Sequence, residues 1–320
     1  HGVMKIENSD ARPPTLPSIQ RMLVLAWLAA VLGMAGTWIG GEMRVHAVVA
    51  LTVLLFGHAI VMAAEFALMV IVGRHTSSGS ISAKSLLRAW VLECVTGVRV
   101  FGWQQPFRNR AFPEELNPSH QGRRGVLLVH GFACSRGLWL PWLKRLAARD
   151  VPFVAIDLEP PWAAIGAHRP LIEEAVARLE RSTGLAPVVV AHSMGGLAVR
   201  AWWKEATPDR IHRLLTLGSP HHGTWMARFG VGPSVRQMRL GSAWLMALLE
   251  GEGPARWSRT TCYYSLYDNI VFPARSATLP GAENRLVQGE PHLHMIWSRA
   301  IWIDVLRWLD LPGQDPQPAD

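Results

Sequence analysis

Residues 188–200, VVVAHSMGGLAVR, place a serine where a buried strand meets a helix. Three β-branched residues open the stretch, and helix-forming residues follow Ser193. Ala191 and Gly195, two positions to either side of the serine, are small. A strained strand-to-helix turn needs small residues at these positions, and it exposes the serine hydroxyl above the sheet. The stretch therefore predicts a catalytic nucleophile, with a tight turn that merely contains serine as the alternative.

Around this turn, short apolar segments alternate with amphipathic ones. Strands are predicted at 125–130, 152–157, 187–192, 212–217, 261–266 and 284–288, and helices at 138–149, 168–183 and 194–206. Apolar strands that alternate with helices are typical of a parallel sheet covered on both faces. We expect a doubly wound, mostly parallel α/β domain over 121–310. Its helical insertion at about 224–258 is predicted to be a lid, with an ordinary packed helix as the alternative.

The serine needs a base to remove its proton and an acid to orient that base. With this kind of turn, acid and then base follow the serine along the chain. Asp268 follows a β-rich segment and opens a turn, so it is the predicted acid, with an exposed turn aspartate as the alternative. His292 lies between a strand and an apolar helix expected at 293–309. It is preferred as the base to His294, which would lie inside that helix.

Acyl transfer also requires hydrogen-bond donors for the oxyanion of its tetrahedral intermediate. The backbone N–H of Met194 begins a helix directly after the serine, where the helix dipole favours negative charge. Phe132 follows His130 and Gly131 at the end of an earlier strand, and the glycine permits a tight turn that directs the Phe132 N–H to the same point. Met194 and Phe132 are the predicted donors, and His130 is expected to be a structural hydrogen-bonding residue.

Neither cysteines nor histidines have the spacing of metal ligands. Cys94, Cys134 and Cys262 are expected to be free thiols. His221 and His222, in PHHGT, point in different directions from a loop with no acidic residue near in sequence. We expect no metal site, and structural packing for these two histidines.

Residues from about 125 to 309 resemble the α/β-hydrolase superfamily, more narrowly the bacterial triacylglycerol lipases and esterases. The matching segments are VLLVHGF, AHSMGG, LGSPHHGTW, YDNIVFP and GEPHLHMI. The A-x-S-x-G turn is similar to that of the small Bacillus-type lipases, whose D-x-I-V and G-x-x-H segments match Asp268 and His292. The resemblance implies hydrolysis of lipid esters without a cofactor. The second histidine, His294, departs from the family pattern.

The N-terminal part is apolar and lies outside this resemblance. Residues 22–41 carry no charge, and residues 45–73 are an apolar segment whose interior contains His58 and Glu65. Since about 20 apolar residues span a bilayer core, we expect a transmembrane hairpin at 22–73. A cleavable signal peptide is the alternative for its first helix. Glu65 is expected to mark the interfacial end of its span, with a pairing to His58 as the alternative.

Charged residues are few and mainly basic. They make up 18% of the chain against about a quarter in soluble domains, and the net charge is +8. With no nucleic-acid motif present, the basic residues predict contact with anionic lipids and not with nucleic acid. Because they flank both outer ends of the hairpin, both termini are expected on the cytoplasmic side of a bacterial inner membrane.

The remaining segments are a tail at 1–21, a membrane-proximal helix and linker at 74–120, and a tail at 311–320. The helical pattern at 81–103 fits either the membrane surface or packing on the α/β domain. Taken together, these features predict a membrane-anchored serine hydrolase that cleaves carboxylic esters of lipids. The sequence does not indicate an oligomeric state. A thioesterase, polyester hydrolase or acyltransferase with the same site is the nearer alternative, and a non-catalytic membrane scaffold is the more distant one.

Overall fold

The computed structural model describes residues 14–39, 45–73 and 81–310. Six short strands form one sheet: β1 (Val126–Val129), β2 (Phe153–Ile156), β3 (Val188–His192), β4 (Arg213–Leu217), β5 (Thr260–Tyr264) and β6 (Glu283–Leu286). The helices are α1 (Leu16–Ile39), α2 (Val45–Gly73), α3 (Ala83–Arg99), α4 (Gln105–Arg108), α5 (Leu140–Ala147), α6 (Arg169–Thr183), α7 (Met194–Trp203), α8 (Pro233–Gln237), α9 (Ala243–Glu250), α10 (Pro254–Trp257) and α11 (Arg299–Trp308). The predicted α/β fold is confirmed, and every strand begins within one residue of its predicted position.

The strands lie in the order β2-β1-β3-β4-β5-β6, and all neighbours are parallel. Alternate residues of a strand point to opposite faces of a sheet, so each central strand contributes to two cores. In β1, Val126 and Leu128 pack in the cluster that includes α5 and α11. Leu127 and Val129 pack in the cluster that includes α6 and α7. Burial on both faces explains why β1 is apolar throughout.

Parallel strands bring the loops at their carboxyl ends to one edge of the sheet, where α/β proteins bind their ligands. Four of these loops carry predicted site residues. They follow β1, β3, β5 and β6 and contain, in that order, Phe132, Ser193, Asp268 and His292. The topology therefore explains how residues far apart in the sequence come to the same edge.

Two described helices, α1 and α2, are long and apolar enough to cross a membrane, judged by length and composition alone. The qualifying segments are Leu16–Met34 and Leu55–Gly73. Helix α1 begins before the predicted start at Met22, so the prediction of a loose tail through residue 21 is wrong from Leu16 onward. Pro17 suits the first turn, because the N–H that proline lacks would have no intrahelical acceptor. Residues 1–13 of the predicted tail, the predicted hairpin connection at 40–44, residues 74–80 of the predicted linker and the tail at 311–320 lie outside the described residues.

Helix α3 packs on α2 and on the α/β domain through its small and polar face. The buried residues of this face are Ala89, Glu93, Thr96 and Gly97. The opposite face exposes large apolar side chains, namely Leu87, Val91, Val95 and Val98. The helix expected at 81–103 is present, followed by a π-helical turn at Val100–Gln104. Its apolar face points away from the protein, which is the reverse of a helix that packs on a domain in water.

The insertion predicted at about 224–258 follows β4 and contains α8, α9 and α10. Leu245 and Leu248 of α9 are buried in the same apolar cluster as Met194. A buried ion pair holds the end of this segment, with 2.7 Å between Arg200 Nη2 and Glu252 Oε2 and both side chains 2% exposed. The insertion is thus packed against α7, and its role as a lid stays a prediction.

Candidate active site

Ser193 lies in a strained turn between β3 and α7. Its φ of 54° and ψ of −128° fall in a region that residues other than glycine rarely adopt. The Ser193 N–H donates to the carbonyl of Leu217 on the neighbouring strand at 2.9 Å. A Cβ at Gly195 would lie 2.5 Å from the carbonyl oxygen of His130, so only glycine fits there. The structure therefore has the backbone geometry that the sequence predicts for a nucleophile.

Asp268 and His292 form a buried pair at the same sheet edge. His292 Nδ1 lies 3.0 Å from Asp268 Oδ2, and the two residues are only 4% and 2% exposed. The other oxygen, Asp268 Oδ1, accepts the backbone N–H groups of Ile270 at 2.9 Å and Val271 at 2.7 Å. Because the carboxylate accepts from Nδ1–H, the other ring nitrogen, Nε2, is left to act as a proton acceptor.

Electrostatics favour protonation of His292. Burial lowers the pKa of His292, but the adjacent Asp268 carboxylate and the nearby Glu93 outweigh burial and raise this pKa above its ordinary value. A carboxylate beside an imidazole stabilises the imidazolium that forms when the base takes a proton. The pair is therefore suited to general base chemistry.

His192, the residue before Ser193, contacts His292. The ring centroids of His192 and His292 are 4.6 Å apart, and His192 Nε2–H donates to the His292 carbonyl at 3.1 Å. Across the residues that the structure describes, no hydrogen bond joins the Ser193 hydroxyl to the His292 imidazole. Catalytic hydrogen bonds in proteins without substrate are often long and tighten on binding.

The second histidine has a different partner. His294 Nδ1 lies 2.5 Å from Glu290 Oε2, and both side chains are partly exposed. The structure therefore brings Asp268 together with His292 and not with His294. The single apolar helix expected at 293–309 is wrong, because a 3₁₀ turn at Leu293–Trp297 is separated from α11 by Ser298. His292 lies immediately before that turn.

The two predicted oxyanion donors lie beside the serine turn. Met194 is the first residue of α7, so its N–H has no acceptor within the helix. A Cβ at Gly131 would lie 2.7 Å from Ser193 Cβ, so glycine allows the loop that carries Phe132 to approach the serine. In the described part of the chain, neither the Met194 N–H nor the Phe132 N–H donates to another residue.

Both ring nitrogens of His130 bind backbone groups next to this loop. The Leu158 N–H donates to Nε2 at 2.9 Å, so Nδ1 carries the proton and donates to the Gly131 carbonyl at 2.9 Å. Burial lowers the pKa of His130. This is the structural hydrogen-bonding geometry expected for the residue, and it holds the turn at Gly131.

Both ring nitrogens of His221 also form hydrogen bonds in the interior of the domain. Arg200 Nη1–H donates to its Nδ1 at 3.0 Å, and its Nε2–H donates to Thr216 Oγ1 at 3.0 Å. Burial, followed by the guanidinium charge, lowers the pKa of His221 well below its ordinary value. A cation beside the ring is unfavourable for a metal ligand, and the contacts are those of a packed structural residue.

Two acidic residues of the N-terminal helices reach the site, which the sequence did not predict. Glu93 of α3 accepts the backbone N–H of Leu293, next to His292, at 2.8 Å. Glu65 of α2 accepts from Asn269 Nδ2 at 2.7 Å and so contacts the residue after Asp268. The only sequence signal for such a contact is that Glu65 is a single carboxylate within an apolar segment.

A parallel sheet with a strained serine turn and a buried Asp–His pair defines the class of α/β hydrolases. The family model described as the alpha/beta hydrolase family matches residues 126–319, and the chain belongs to this family. No curated protein matches the chain in sequence.

Solved structures with a similar fold include two lipases. The mature form of Bacillus licheniformis lipase BlEst2 is 16% identical with a TM-score of 0.51, over 61% of this chain and 94% of that one. Aspergillus fumigatus lipase B is 20% identical with a TM-score of 0.53, over 66% of this chain and 59% of that one. At these identities the similarity shows the shared fold.

Proposed function

We propose that the protein is a membrane-anchored serine hydrolase that cleaves carboxylic esters of lipids. The observation that carries this proposal is the buried Asp268–His292 pair, 3.0 Å apart, at the sheet edge where Ser193 occupies its strained turn. Serine, acid and base follow each other in the chain in the order typical of this family. Two backbone N–H groups without an acceptor lie next to the serine. Together these groups supply every role that acyl transfer requires.

The reaction begins when the Ser193 hydroxyl oxygen attacks the ester carbonyl carbon and His292 Nε2 takes the hydroxyl proton. Asp268 stabilises the resulting imidazolium, and the N–H groups of Phe132 and Met194 stabilise the oxyanion. The tetrahedral intermediate then collapses, with the proton of His292 passing to the leaving alcohol. A water molecule, deprotonated by His292, then attacks the acyl-enzyme, and the second tetrahedral intermediate breaks its bond to Ser193 Oγ. His292 returns the proton to that oxygen as the carboxylic acid leaves. No step requires a cofactor.

Membrane attachment is supported by apolar surface on the N-terminal helices. On α2, Phe56 and Ile60 are 58% and 61% exposed. On α3, the exposed face is apolar, whereas the buried face consists of small and polar residues. In water such surfaces are unfavourable, whereas a bilayer provides an apolar environment for them. We place α1 and α2 across a bacterial inner membrane with the hydrolase domain on the cytoplasmic side. The active site then lies close to lipid esters.

A fluorophosphonate probe, which reacts with activated serines, tests the catalytic assignment. We expect the full-length protein to be labelled and to hydrolyse esters, and Ser193→Ala to lose both properties. Ser234→Ala, which alters another buried serine, is the matched control and should retain both. Ester hydrolysis by Ser193→Ala at the wild-type rate would contradict the proposal, and an unreactive wild type would favour a scaffold role. A panel of esters and thioesters of different acyl length would identify the preferred substrate.

Membrane attachment needs its own measurement. The protein is expected to remain with the membrane after extraction at alkaline pH. In inside-out vesicles added protease should cleave the hydrolase domain, and in right-side-out vesicles it should not. Cleavage in right-side-out vesicles would overturn the cytoplasmic placement without affecting the catalytic assignment.

A further inference from the structure

The three N-terminal helices each contact a different loop of the active site. The contacts are Gln20 of α1 with Ala133 at 3.3 Å, Glu65 of α2 with Asn269 at 2.7 Å, and Glu93 of α3 with Leu293 at 2.8 Å. The contacted residues directly follow, in that order, Phe132, Asp268 and His292. Helices α1, α2 and α3 precede the segment that matches the hydrolase family, which begins at residue 126. A segment outside the common fold thus binds the loops that carry the oxyanion donor, the acid and the base.

Glu93 makes the most extensive of these contacts. Its two oxygens accept the Leu293 N–H at 2.8 and 3.1 Å, and one of them also accepts the His294 N–H at 3.2 Å. The residue is 1% exposed. These hydrogen bonds hold the first turn after His292, and that turn determines where the imidazole is relative to Asp268.

Packing alone does not account for a carboxylate at this position. Burial of a charged group is costly unless hydrogen bonds compensate it, and a small apolar residue such as the buried Ala89 would pack the same face of α3. Burial raises the pKa of Glu93 to about 7, although the N–H donors and His292 counteract this increase. The position is thus unfavourable for stability but well suited to hold the backbone after the base.

Asn269 provides a second link between the N-terminal helices and His292. Its Nδ2 donates to Glu65 Oε2 at 2.7 Å, and its Oδ1 accepts the His292 N–H at 3.4 Å. Apolar contacts accompany this link, because Phe66 of α2 packs in one cluster with Tyr267, the residue before Asp268. The acid loop and the base loop are therefore both held by the helices.

We propose that Glu93 is a positioning residue for His292 and that, through Glu93, Glu65 and Gln20, the N-terminal helices complete the active site. The inference rests on the proposed function, since it assigns Glu93 a role in the same reaction. Docking of α1, α2 and α3 sets the orientation of the base, so the N-terminal segment contributes to catalysis in addition to anchoring the protein. A change at Glu93 is then expected to alter turnover more than substrate binding.

The test compares full-length Glu93→Gln and Glu93→Ala with the wild type in detergent micelles, with p-nitrophenyl butyrate as substrate. Glutamine keeps one acceptor oxygen, whereas alanine removes both. We expect kcat to fall by about fivefold in Glu93→Gln and by at least about tenfold, or about 1.4 kcal/mol, in Glu93→Ala. KM should stay within about twofold of the wild-type value. Glu290→Gln removes a neighbouring carboxylate that binds His294, and as the matched control it should keep wild-type kcat.

A pH profile separates positioning from a purely structural role. Four titratable groups lie close enough to His292 to affect its pKa. They are Asp268 in the loop after β5, Glu93 on α3, Glu65 on α2 and His192 on β3. The charge of Glu93 raises the pKa of His292, so its removal lowers that pKa. The acid limb of kcat/KM in Glu93→Gln should therefore move to lower pH. A residue that only stabilises the fold would lower the melting temperature and leave the limb unchanged.

The outcomes distinguish this inference from the proposed function. If the wild type reacts with the fluorophosphonate probe but both Glu93 variants keep kcat within twofold and an unchanged acid limb, the inference is overturned and the serine hydrolase assignment stands. If the wild type is unreactive, both are overturned. If Glu93→Ala does not fold, Glu93→Gln decides: reduced kcat with a shifted limb supports the positioning role, and an unchanged profile refutes it.

Discussion

His292 Nδ1 and Asp268 Oδ2 lie 3.0 Å apart, and neither residue is more than 4% exposed. The other oxygen of Asp268 is held by two backbone N–H groups, at 2.7 and 2.9 Å. These donors fix the orientation of the carboxylate, and its Oδ2 accepts from Nδ1–H of His292, which keeps the proton of the neutral imidazole on Nδ1. The orientation and the tautomer of the base therefore depend on the charge of Asp268.

The variant Asp268→Asn should lower kcat by about 10³ to 10⁴-fold, by analogy with removal of the triad acid in serine proteases. The amide keeps the shape of the side chain, but its NH₂ group cannot accept the proton of Nδ1. The imidazole would then present a protonated Nε2 to the serine and lose its function as a base. Steady-state hydrolysis of p-nitrophenyl butyrate measures this loss.

Asp304→Asn is the control for removal of a buried aspartate. Asp304 Oδ2 accepts from the Tyr263 hydroxyl at 2.7 Å, and Asp304 also pairs with Arg285. We expect this variant to have a lower melting temperature with kcat within about twofold of wild type. Comparable loss of kcat in the two variants would argue against a special role of Asp268.

The sheet, and the position of the candidate site residues at its edge, can be predicted from the sequence because both depend on local patterns. Strands buried on both faces are apolar throughout, and loops at their carboxyl ends are identified once the strands are known. The small residues around Ser193 reflect a steric requirement of one turn. The distinction between His292 and His294 was harder, since it depended on where a helix begins, and an expected helix proved to be broken at Ser298.

The contacts of the N-terminal helices could not be predicted in this way. Helical spacing in α3 assigns Leu87, Val91 and Val95 to one apolar face, and in water that face would pack inward. In the structure it points outward, and the face with Glu93 packs on the domain. A periodic pattern identifies two faces but does not show which one packs on protein and which one is exposed. Contacts such as Glu93 with Leu293, between segments far apart in the chain, leave no local signal.

The variant Gly131→Ala tests the close approach of the oxyanion loop to the serine. The added Cβ would lie 2.7 Å from Ser193 Cβ and 3.2 Å from the His192 carbonyl oxygen, so the serine must move. Since small displacements of reacting groups cost about 10²-fold in rate, we expect kcat to fall by that amount. Steady-state kinetics and the rate of fluorophosphonate labelling should change together.

Gly253→Ala is the matched control, because no heavy atom lies within 4 Å of a Cβ at that position. Its φ of −142° is accessible to alanine. We expect wild-type kinetics for this variant. Undiminished labelling of Gly131→Ala would show that the loop does not approach the serine as described.

The variant Glu252→Ala tests the buried ion pair at the end of the 224–258 insertion. It would leave the Arg200 guanidinium, 2% exposed, without its carboxylate partner. Loss of one member of a buried pair costs about 3–5 kcal/mol in the free energy of unfolding. Denaturant unfolding followed by tryptophan fluorescence measures this change.

Glu205→Ala serves as the comparison, because Glu205 pairs with Arg169 at an exposed site where its side chain is 63% exposed. Removal of an exposed pair is expected to cost about 0–1 kcal/mol. Equal losses in Glu252→Ala and Glu205→Ala would mean that the insertion is not fixed by the buried pair.

Glu93 should make the stability of the protein depend on pH. Burial raises the pKa of Glu93 to about 7 from the ordinary value of 4.5. The folded protein therefore keeps a proton that the unfolded chain releases, so the associated stability is complete below about pH 4.5 and is lost as the pH rises through about 7. Glutamine has no such proton, and the melting temperature of the wild type relative to Glu93→Gln should decline between about pH 5 and about pH 8.

Glu290→Gln controls for loss of a nearby carboxylate and should follow the wild type. A constant difference between wild type and Glu93→Gln over this range would show that Glu93 is not held in the buried environment described.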